Sequence, residues 1–174
     1  MNIVLFGASG FIGRRVAQIL RAHGHTLRTP SRREFDYLQP NEAAARSILN
    51  SADAVFNCIG VMSRHAGVLE TVHHRTPALL AAWAREAGVR RWVQLSALGA
   101  DPAAAAFVAS KGRGDAAVAA EAVEMGGKYA RAGLAGGLFH GALQFGGVAQ
   151  RLGRAAVQVK QAVAADGGTH LWPL

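Results

Sequence analysis

Asn2-Ile3-Val4-Leu5-Phe6-Gly7-Ala8-Ser9-Gly10-Phe11-Ile12-Gly13-Arg14-Arg15-Val16 opens the chain and decides how the rest is read. The apolar run from Ile3 to Phe6 stops at Gly7, the pattern of a short strand buried on both faces. Beyond the glycines, Phe11, Ile12, Val16, Ile19 and Leu20 recur at helical spacing. Strand, glycine turn and helix together form the first half of a βαβ unit. Each glycine has a distinct expected role. Gly7 permits the tight turn, Gly10 lets a backbone approach a pyrophosphate, and Gly13 lets the helix lie close on the strand. Ser9, Gly10, Phe11, Ile12 and Gly13 then offer main-chain N–H groups and the positive end of a helix dipole to phosphate.

The remaining composition bounds the class. At 174 residues and 51% apolar, the chain suffices for one well-cored globular domain. No basic leader precedes the apolar run, so a secretion signal is not expected. The single cysteine, Cys58, fits a reducing, cytoplasmic setting, and its expected state is a small buried apolar residue. A net charge of +8 raises the question of nucleic acid or an anionic membrane. The basic residues are scattered, however, as Arg14-Arg15, Arg32-Arg33 and Arg90-Arg91, without a block or interleaved aromatics. Solvated helix faces and an anionic cofactor account for most of that charge, which leaves electrostatic nucleic-acid binding the weakest reading.

Residues 25–31 read as a second strand. A dinucleotide-binding unit inspects its ribose at this point, about twenty residues past the glycines. An acid here would accept from a 2′-hydroxyl and repel a 2′-phosphate. The chain instead has Ser31, Arg32 and Arg33. Guanidinium pairs with phosphate through charge-assisted hydrogen bonds, so NADP(H) is expected over NAD(H), with Arg32 as the clamp. Two solvated loop arginines are the bland alternative.

Further along, Glu34 to Tyr37 reads as a short third strand with Asp36 near an adenine. A helix is expected over 42–49, capped by Asn41. Residues 53–60 form a buried strand that brings Asn57 and Gly60 to the sheet's carboxyl edge, where ligands of such sheets bind. A helix over 71–87 carries an apolar stripe of Leu79, Leu80, Trp83 and Ala87, stopped by Gly88. His65, His73 and His74 read as solvated residues near its start. Neighbouring histidines diverge around a helix, so no metal site is expected. Residues 92–96 form a fifth strand that ends at Ser96, followed by a loop and a helix containing Phe107, Ser110 and Lys111.

With these residues placed, the chain resembles the short-chain dehydrogenase/reductase superfamily. The closest branch is the atypical, extended one of NAD-dependent epimerase/dehydratase-like proteins, which includes the Rossmann accessory subunit of respiratory complex I. The likeness runs over about residues 1–122. It is carried by Gly7-Ala8-Ser9-Gly10-Phe11-Ile12-Gly13, the Asp36 segment, Asn57-Cys58-Ile59-Gly60, residues 93–101 and the pair Ser110-Lys111. It implies an α/β, Rossmann-type doubly wound parallel sheet with helices on both faces and a nicotinamide dinucleotide along its edge. In competent relatives a Ser or Thr after this strand orients a carbonyl, and a Tyr four residues before a Lys passes the proton. The Lys holds the nicotinamide ribose and lowers the Tyr pKa. Ser96 and Lys111 match those positions. Phe107 stands where the tyrosine would be, in register but without a hydroxyl.

Composition shifts near residue 124, which suggests a domain over 1–124 followed by a Gly/Ala-rich segment, 125–174. That segment holds eleven of the 21 glycines and five basic residues against one acid. The resemblance implies a β-branched strand ending in Arg-Pro and then a substrate region. Met125 to Gly136 lacks the Val/Ile density of a central strand. Residues 132–150 carry no charge, but their six glycines, His140 and Gln144 argue against a membrane span. Gly133, Gly137 and Gly141 are spaced for close helix packing. An amphipathic helix is expected from Val148 to the Gly167-Gly168 pair. The segment reads as a truncated, diverged or out-of-frame C-terminus.

Two functions follow from these residues. One is an NADPH-dependent oxidoreductase or epimerase-like enzyme with an impaired proton donor. The other is a module that holds or senses the dinucleotide without turnover. Substrate and oligomeric state are not encoded in any of these motifs.

Overall fold

The computed structural model describes residues 1–97, 99–104 and 106–122, and the main chain of 123–124, 128–135 and 138–140. The chain runs through strand β1 (Asn2–Phe6), helix α1 (Phe11–Ala22), β2 (Thr26–Arg28), α2 (Glu42–Leu49) and β3 (Ala54–Asn57). It continues through α3 (Ala66–Glu70), a π-helical turn (Thr71–Arg75), α4 (Thr76–Glu86), β4 (Arg91–Ala97) and α5 (Ala106–Glu124). Two strands follow, β5 (Lys128–Ala135) and β6 (Leu138–His140). The sheet order is β2-β1-β3-β4-β5-β6. Every neighbouring pair is parallel except β5 with β6.

Alternation along the strands builds two cores. Ile3 and Leu5 of β1, with Ala54 and Phe56 of β3, face Val16, Ala17 and Leu20 of α1. Val4, Phe6 and Val55 point the other way, onto Ala45 and Ile48 of α2, Leu80 and Ala84 of α4, and Val118 of α5. Helices therefore cover both faces, as a sheet buried on both sides requires. The chain leaves β1 for β2 on one side and crosses to β3 on the other. The carboxyl ends of β1 and β3 thus flank the point where strand order reverses, the crevice that holds ligands in open α/β sheets.

Several expectations need correction. Residues 34–37 are not a strand. Ser31 and Glu34 form a capping box instead, the Ser31 N–H donating to Glu34 Oε2 at 2.8 Å and the Glu34 N–H to Ser31 Oγ at 3.4 Å. The alternation of Phe35 and Tyr37 comes from anchoring: both rings pack edge-on against Phe6, with centroids 5.6 and 5.9 Å away. Residues 91–97 are therefore the fourth strand, not the fifth. The second strand is only three residues long. The helix expected from 71 begins earlier, at Ala66, and passes through the π turn. Its buried side is Leu80, Ala81 and Ala84, whereas Leu79 is 43% exposed. Gly88 does end it, at φ +78°. The Asn41 cap is as expected, its side chain accepting the Ala44 N–H at 2.9 Å.

Residues 128–135 correct the expectation that this stretch lacks a central strand. β5 pairs with β4 from Arg91↔Lys128 to Ala97↔Leu134. The open edge of β4 supplies ladder hydrogen bonds, which outweigh the low intrinsic β-propensity of Ala and Gly. Gly133 lies in this strand and so belongs to no helix-packing face. Gly137, Gly141 and the helix expected after Val148 lie outside the described residues. Among the described residues no helix is long and apolar enough to cross a membrane.

Candidate functional site

The glycine turn occupies the carboxyl end of β1. Gly7 has φ +79°, and a Cβ there would come within 2.9 Å of the Cys58 carbonyl carbon, so the turn is pressed against the end of β3. A Cβ on Gly13 would sit 1.9 Å from the Gly7 oxygen, which confirms that this glycine brings α1 onto the turn. Gly10 differs. Its Cβ would meet only the Gly7 oxygen, at 3.3 Å, so the space in front of it is otherwise open. Gly10 is also the N-cap of α1, extended at φ −72° and ψ 168°, with no side chain capping the helix and no acid in the first turn. The leading N–H groups of α1 therefore have no intrahelical acceptor and face an uncrowded, unopposed positive end. Ser9 and Phe11 are exposed there and Ile12 is half-buried. The turn fits a bound pyrophosphate.

At the position expected to meet a ribose, Arg32 lies on the capping-box turn after β2, its side chain 78% exposed. Its Nε is 3.8 Å from Asp36 Oδ1. Asp36 also accepts the Leu38 N–H at 2.9 Å. The two residues named for the adenosine end are thus neighbours, held by a solvated ion pair that contributes little by itself.

The far end is built around β4 and α5. Lys111 is 3% exposed, and its Nζ donates to the carbonyl oxygens of Leu95 at 3.1 Å and Ile59 at 3.2 Å. It is no solvated helix lysine. Burial pushes its pKa down to about 8, against the opposing pull of Asp115 and Cys58. A Cβ on Gly60 would lie 3.3 Å from Nζ, so the bare glycine keeps the amine uncovered on that side. Ser96 is also buried, and its hydroxyl donates to Asp115, one turn beyond Lys111 on α5. Phe107 is half-buried, with its ring edge-on to His73, centroids 5.0 Å apart and planes at 84°. Asn57 is 1% exposed and fully engaged. Its Oδ1 accepts from the Tyr37 hydroxyl at 2.9 Å and the Ile59 N–H at 3.1 Å, and its Nδ2 donates to Gln94 Oε1 at 3.1 Å. It orients the chain that leads to Gly60. Burial pushes the Cys58 thiol up to about 12, which suits a packing residue and not a nucleophile.

The structure adds residues that sequence reading missed. His73 was expected in solvent and is instead completely buried. Its Nε2 accepts the Val61 N–H at 3.1 Å, and its Nδ1 lies 2.9 Å from Ser110 Oγ. Since Nε2 accepts, the proton sits on Nδ1 and is donated to Ser110, whose hydroxyl passes to the Phe107 carbonyl at 2.7 Å. Burial, then the charge on Lys111, push His73 down to about 3, so the ring is neutral at ordinary pH. The available signal was spacing: His73, Thr76, Leu80 and Ala84 share one buried stripe. Asp115, four residues after Lys111, could have been found in the same way. His74 binds Glu70 Oε1 at 2.5 Å, and Arg113 closes on Glu70 Oε2 at 2.6 Å, fastening α3 to α5. Among the described residues, no group of three His, Cys, Asp or Glu is arranged to hold a metal ion.

A sheet parallel from β2 to β5, with helices on both faces and a glycine turn at its reversal point, defines an α/β protein of the Rossmann type. The sequence profile of the NAD dependent epimerase/dehydratase family matches residues 3–130, and the chain belongs to that family. Solved structures show the same fold. A dTDP-4-dehydrorhamnose reductase from Clostridium acetobutylicum is 19% identical with a TM-score of 0.68, over 98% of this chain and 72% of that one. A short-chain dehydrogenase/reductase superfamily protein from Agrobacterium tumefaciens, solved with bound NAD, is 21% identical with a TM-score of 0.63. It is matched over 75% of this chain and 48% of its own length, so the chain spans about half of that relative. A dTDP-4-dehydrorhamnose reductase from Bacillus anthracis, solved with NADP, is 13% identical with a TM-score of 0.59, over 75% of this chain and 51% of that one. No curated protein sequence matches the chain.

Proposed function

We propose that the chain holds a nicotinamide dinucleotide along the carboxyl edge of its sheet, NADP(H) in preference to NAD(H). The observation that carries this reading is the glycine turn. Gly7 and Gly13 are glycines because a Cβ would collide with backbone, while Gly10 faces open space beside uncapped helix N–H groups. In this reading the pyrophosphate lies against residues 9–13, Arg32 pairs with a 2′-phosphate, and Asp36 adjoins the adenosine. Relatives solved with NAD and with NADP are in keeping with either coenzyme. The arginine at the ribose position supports the second. The nicotinamide end then reaches Gly60, Lys111 and Ser96. Two N–H groups of Lys111 are directed to carbonyl oxygens, which leaves the third for a ribose hydroxyl.

When bound, the nicotinamide supplies hydride transfer, the chemistry of the family. The side chains in place support that chemistry poorly. Phe107 has no proton to give, and the Ser96 hydroxyl is directed to Asp115. A carbonyl at this edge meets neither of the two neutral donors that would polarise it. These two observations favour a second reading, in which the dinucleotide is held without efficient turnover.

Fluorescence titration with NADPH and NADH tests the first reading. Saturable binding with tighter NADPH supports it, and equal affinities remove the coenzyme preference. Incubation of the unaltered chain and Phe107→Tyr with NADPH and a panel of carbonyl compounds separates the two readings. Coenzyme oxidation gained only by Phe107→Tyr marks a pocket that lost its donor. No oxidation by either form, with binding intact, favours holding.

A further inference from the structure

We infer that His73 is the positioning residue of the nicotinamide end: its unprotonated Nε2 holds the loop after β3 in the place where Lys111 can bind it. The inference rests on the dinucleotide reading above and names how that site is kept in shape.

The π-helical turn is where the observation begins. Such turns cost regular hydrogen bonding and are frequent at functional sites. Here the turn delivers His73 into the space between the loop 59–61 and α5. The residue is fixed at both ends. Its backbone lies so near α5 that a Cβ on Gly114 would be 1.8 Å from the His73 oxygen. Its ring is held by three contacts: Val61 N–H on Nε2, Ser110 Oγ on Nδ1, and the Phe107 ring at its side.

Val61 follows Gly60, and Ile59 precedes it. The same three residues therefore receive two side chains: His73 takes the Val61 N–H, and Lys111 binds the Ile59 oxygen. Between them stands Gly60, whose missing side chain leaves the amine uncovered. An apolar residue at 73 would fill the space but leave the Val61 N–H without its acceptor, a costly state for a partly buried amide. The loop would then move to satisfy it, and the Ile59 oxygen with it. A residue that only packed would not need an acceptor aimed at this one amide.

The two ring nitrogens separate positioning from packing. Glutamine carries an oxygen that reaches the place of Nε2, so His73→Gln keeps the Val61 bond and gives up Ser110. Asparagine reaches only as far as Nδ1, so His73→Asn keeps Ser110 and gives up Val61. The expected result is NADPH affinity within about threefold of the unaltered chain for His73→Gln and Ser110→Ala. His73→Asn should bind about tenfold more weakly, the loss of one buried hydrogen bond. Thermal midpoints are measured alongside. Equal losses for Gln and Asn, or losses that follow the midpoints alone, overturn the inference.

A second readout needs no coenzyme. Nitrogen NMR of the unaltered chain should show a pyrrole-type Nδ1 and a pyridine-type Nε2 for His73, unchanged from pH 8 to pH 5. The groups facing the ring are the Lys111 ammonium, the Ser110 hydroxyl, the Val61 amide and the apolar Phe107; burial, the Lys111 charge and the amide directed at Nε2 all oppose an imidazolium. A mixed tautomer or protonation within that range contradicts the arrangement. Absence of NADPH uptake by the unaltered chain would overturn the dinucleotide reading, and the role assigned to His73 with it. The nitrogen spectrum reports on the ring bonds independently of that outcome.

Discussion

The two ends of the carboxyl edge are built on opposite principles. At the β1 end the groups on offer are main-chain amides at an uncapped helix start, and the design consists of side chains left out. At the β4–α5 end the polar groups are side chains from four separate segments, Asn57, His73, Ser96 and Lys111, each buried and already hydrogen-bonded within the protein. The contrast teaches that the glycine turn is fixed by sterics, whereas the β4–α5 end is fixed by hydrogen bonds that tie separate segments together. Substitution should therefore act abruptly at the first end and in couples at the second.

The largest effect is expected where backbone meets backbone. Gly13→Val places a side chain 1.9 Å from the Gly7 oxygen, in a place where neither partner is a flexible side chain. Destabilisation of about 3 kcal/mol or more is expected by thermal or urea unfolding. A midpoint close to that of the unaltered chain would mean that the turn does not have this geometry. Next in size is Asp115→Ala. It removes the acceptor of the buried Ser96 hydroxyl and the carboxylate that supports the Lys111 ammonium, with an expected cost of about 2–4 kcal/mol. In the double variant with Lys111→Met the losses should not add, because the buried charge is gone.

Stability against pH gives a smaller, signed effect. The folded pKa of His73 lies at about 3, below the ordinary 6.5, so the unfolded chain binds the proton more readily. The His73 contribution to stability is therefore complete above about pH 6.5 and declines as pH falls toward 3, by roughly 1.4 kcal/mol per unit. Lys111, lowered to about 8 from 10.5, follows the same rule in another window. Stability should rise between pH 8 and 10.5, and Lys111→Met should flatten that rise. The smallest effect is expected at the ribose position. Arg32→Ala removes only a solvated side chain and should leave the midpoint unchanged. It should weaken NADPH about tenfold and leave NADH unaffected. Equal weakening of both coenzymes would detach Arg32 from the 2′-phosphate.

The same contrast explains what could be read from the sequence. The glycine turn was legible because its three glycines lie within seven residues, and the exclusion of a side chain at Gly13 comes from Gly7 itself, although Gly7 is also pressed against Cys58. Asn41 was legible for a similar reason, since a cap acts on its own helix. His73 was not. Its partners are at 61 and 110, and only the folded sheet brings them together. The Phe35–Tyr37 alternation imitated a strand because period two serves equally to anchor a loop in a core. β5 was missed because strand propensity was weighed where the free edge of β4 decides. Lys111 was singled out by resemblance, but its burial between two carbonyl oxygens depends on strands far from it in sequence.

The central claim is that a dinucleotide lies across both ends at once, and calorimetric titration of the folded chain tests it most directly. Saturable one-to-one binding of NADPH, tighter than that of NADH and lost in Gly10→Val, is the result predicted. If the folded chain took up neither coenzyme at millimolar concentration, the claim would be contradicted.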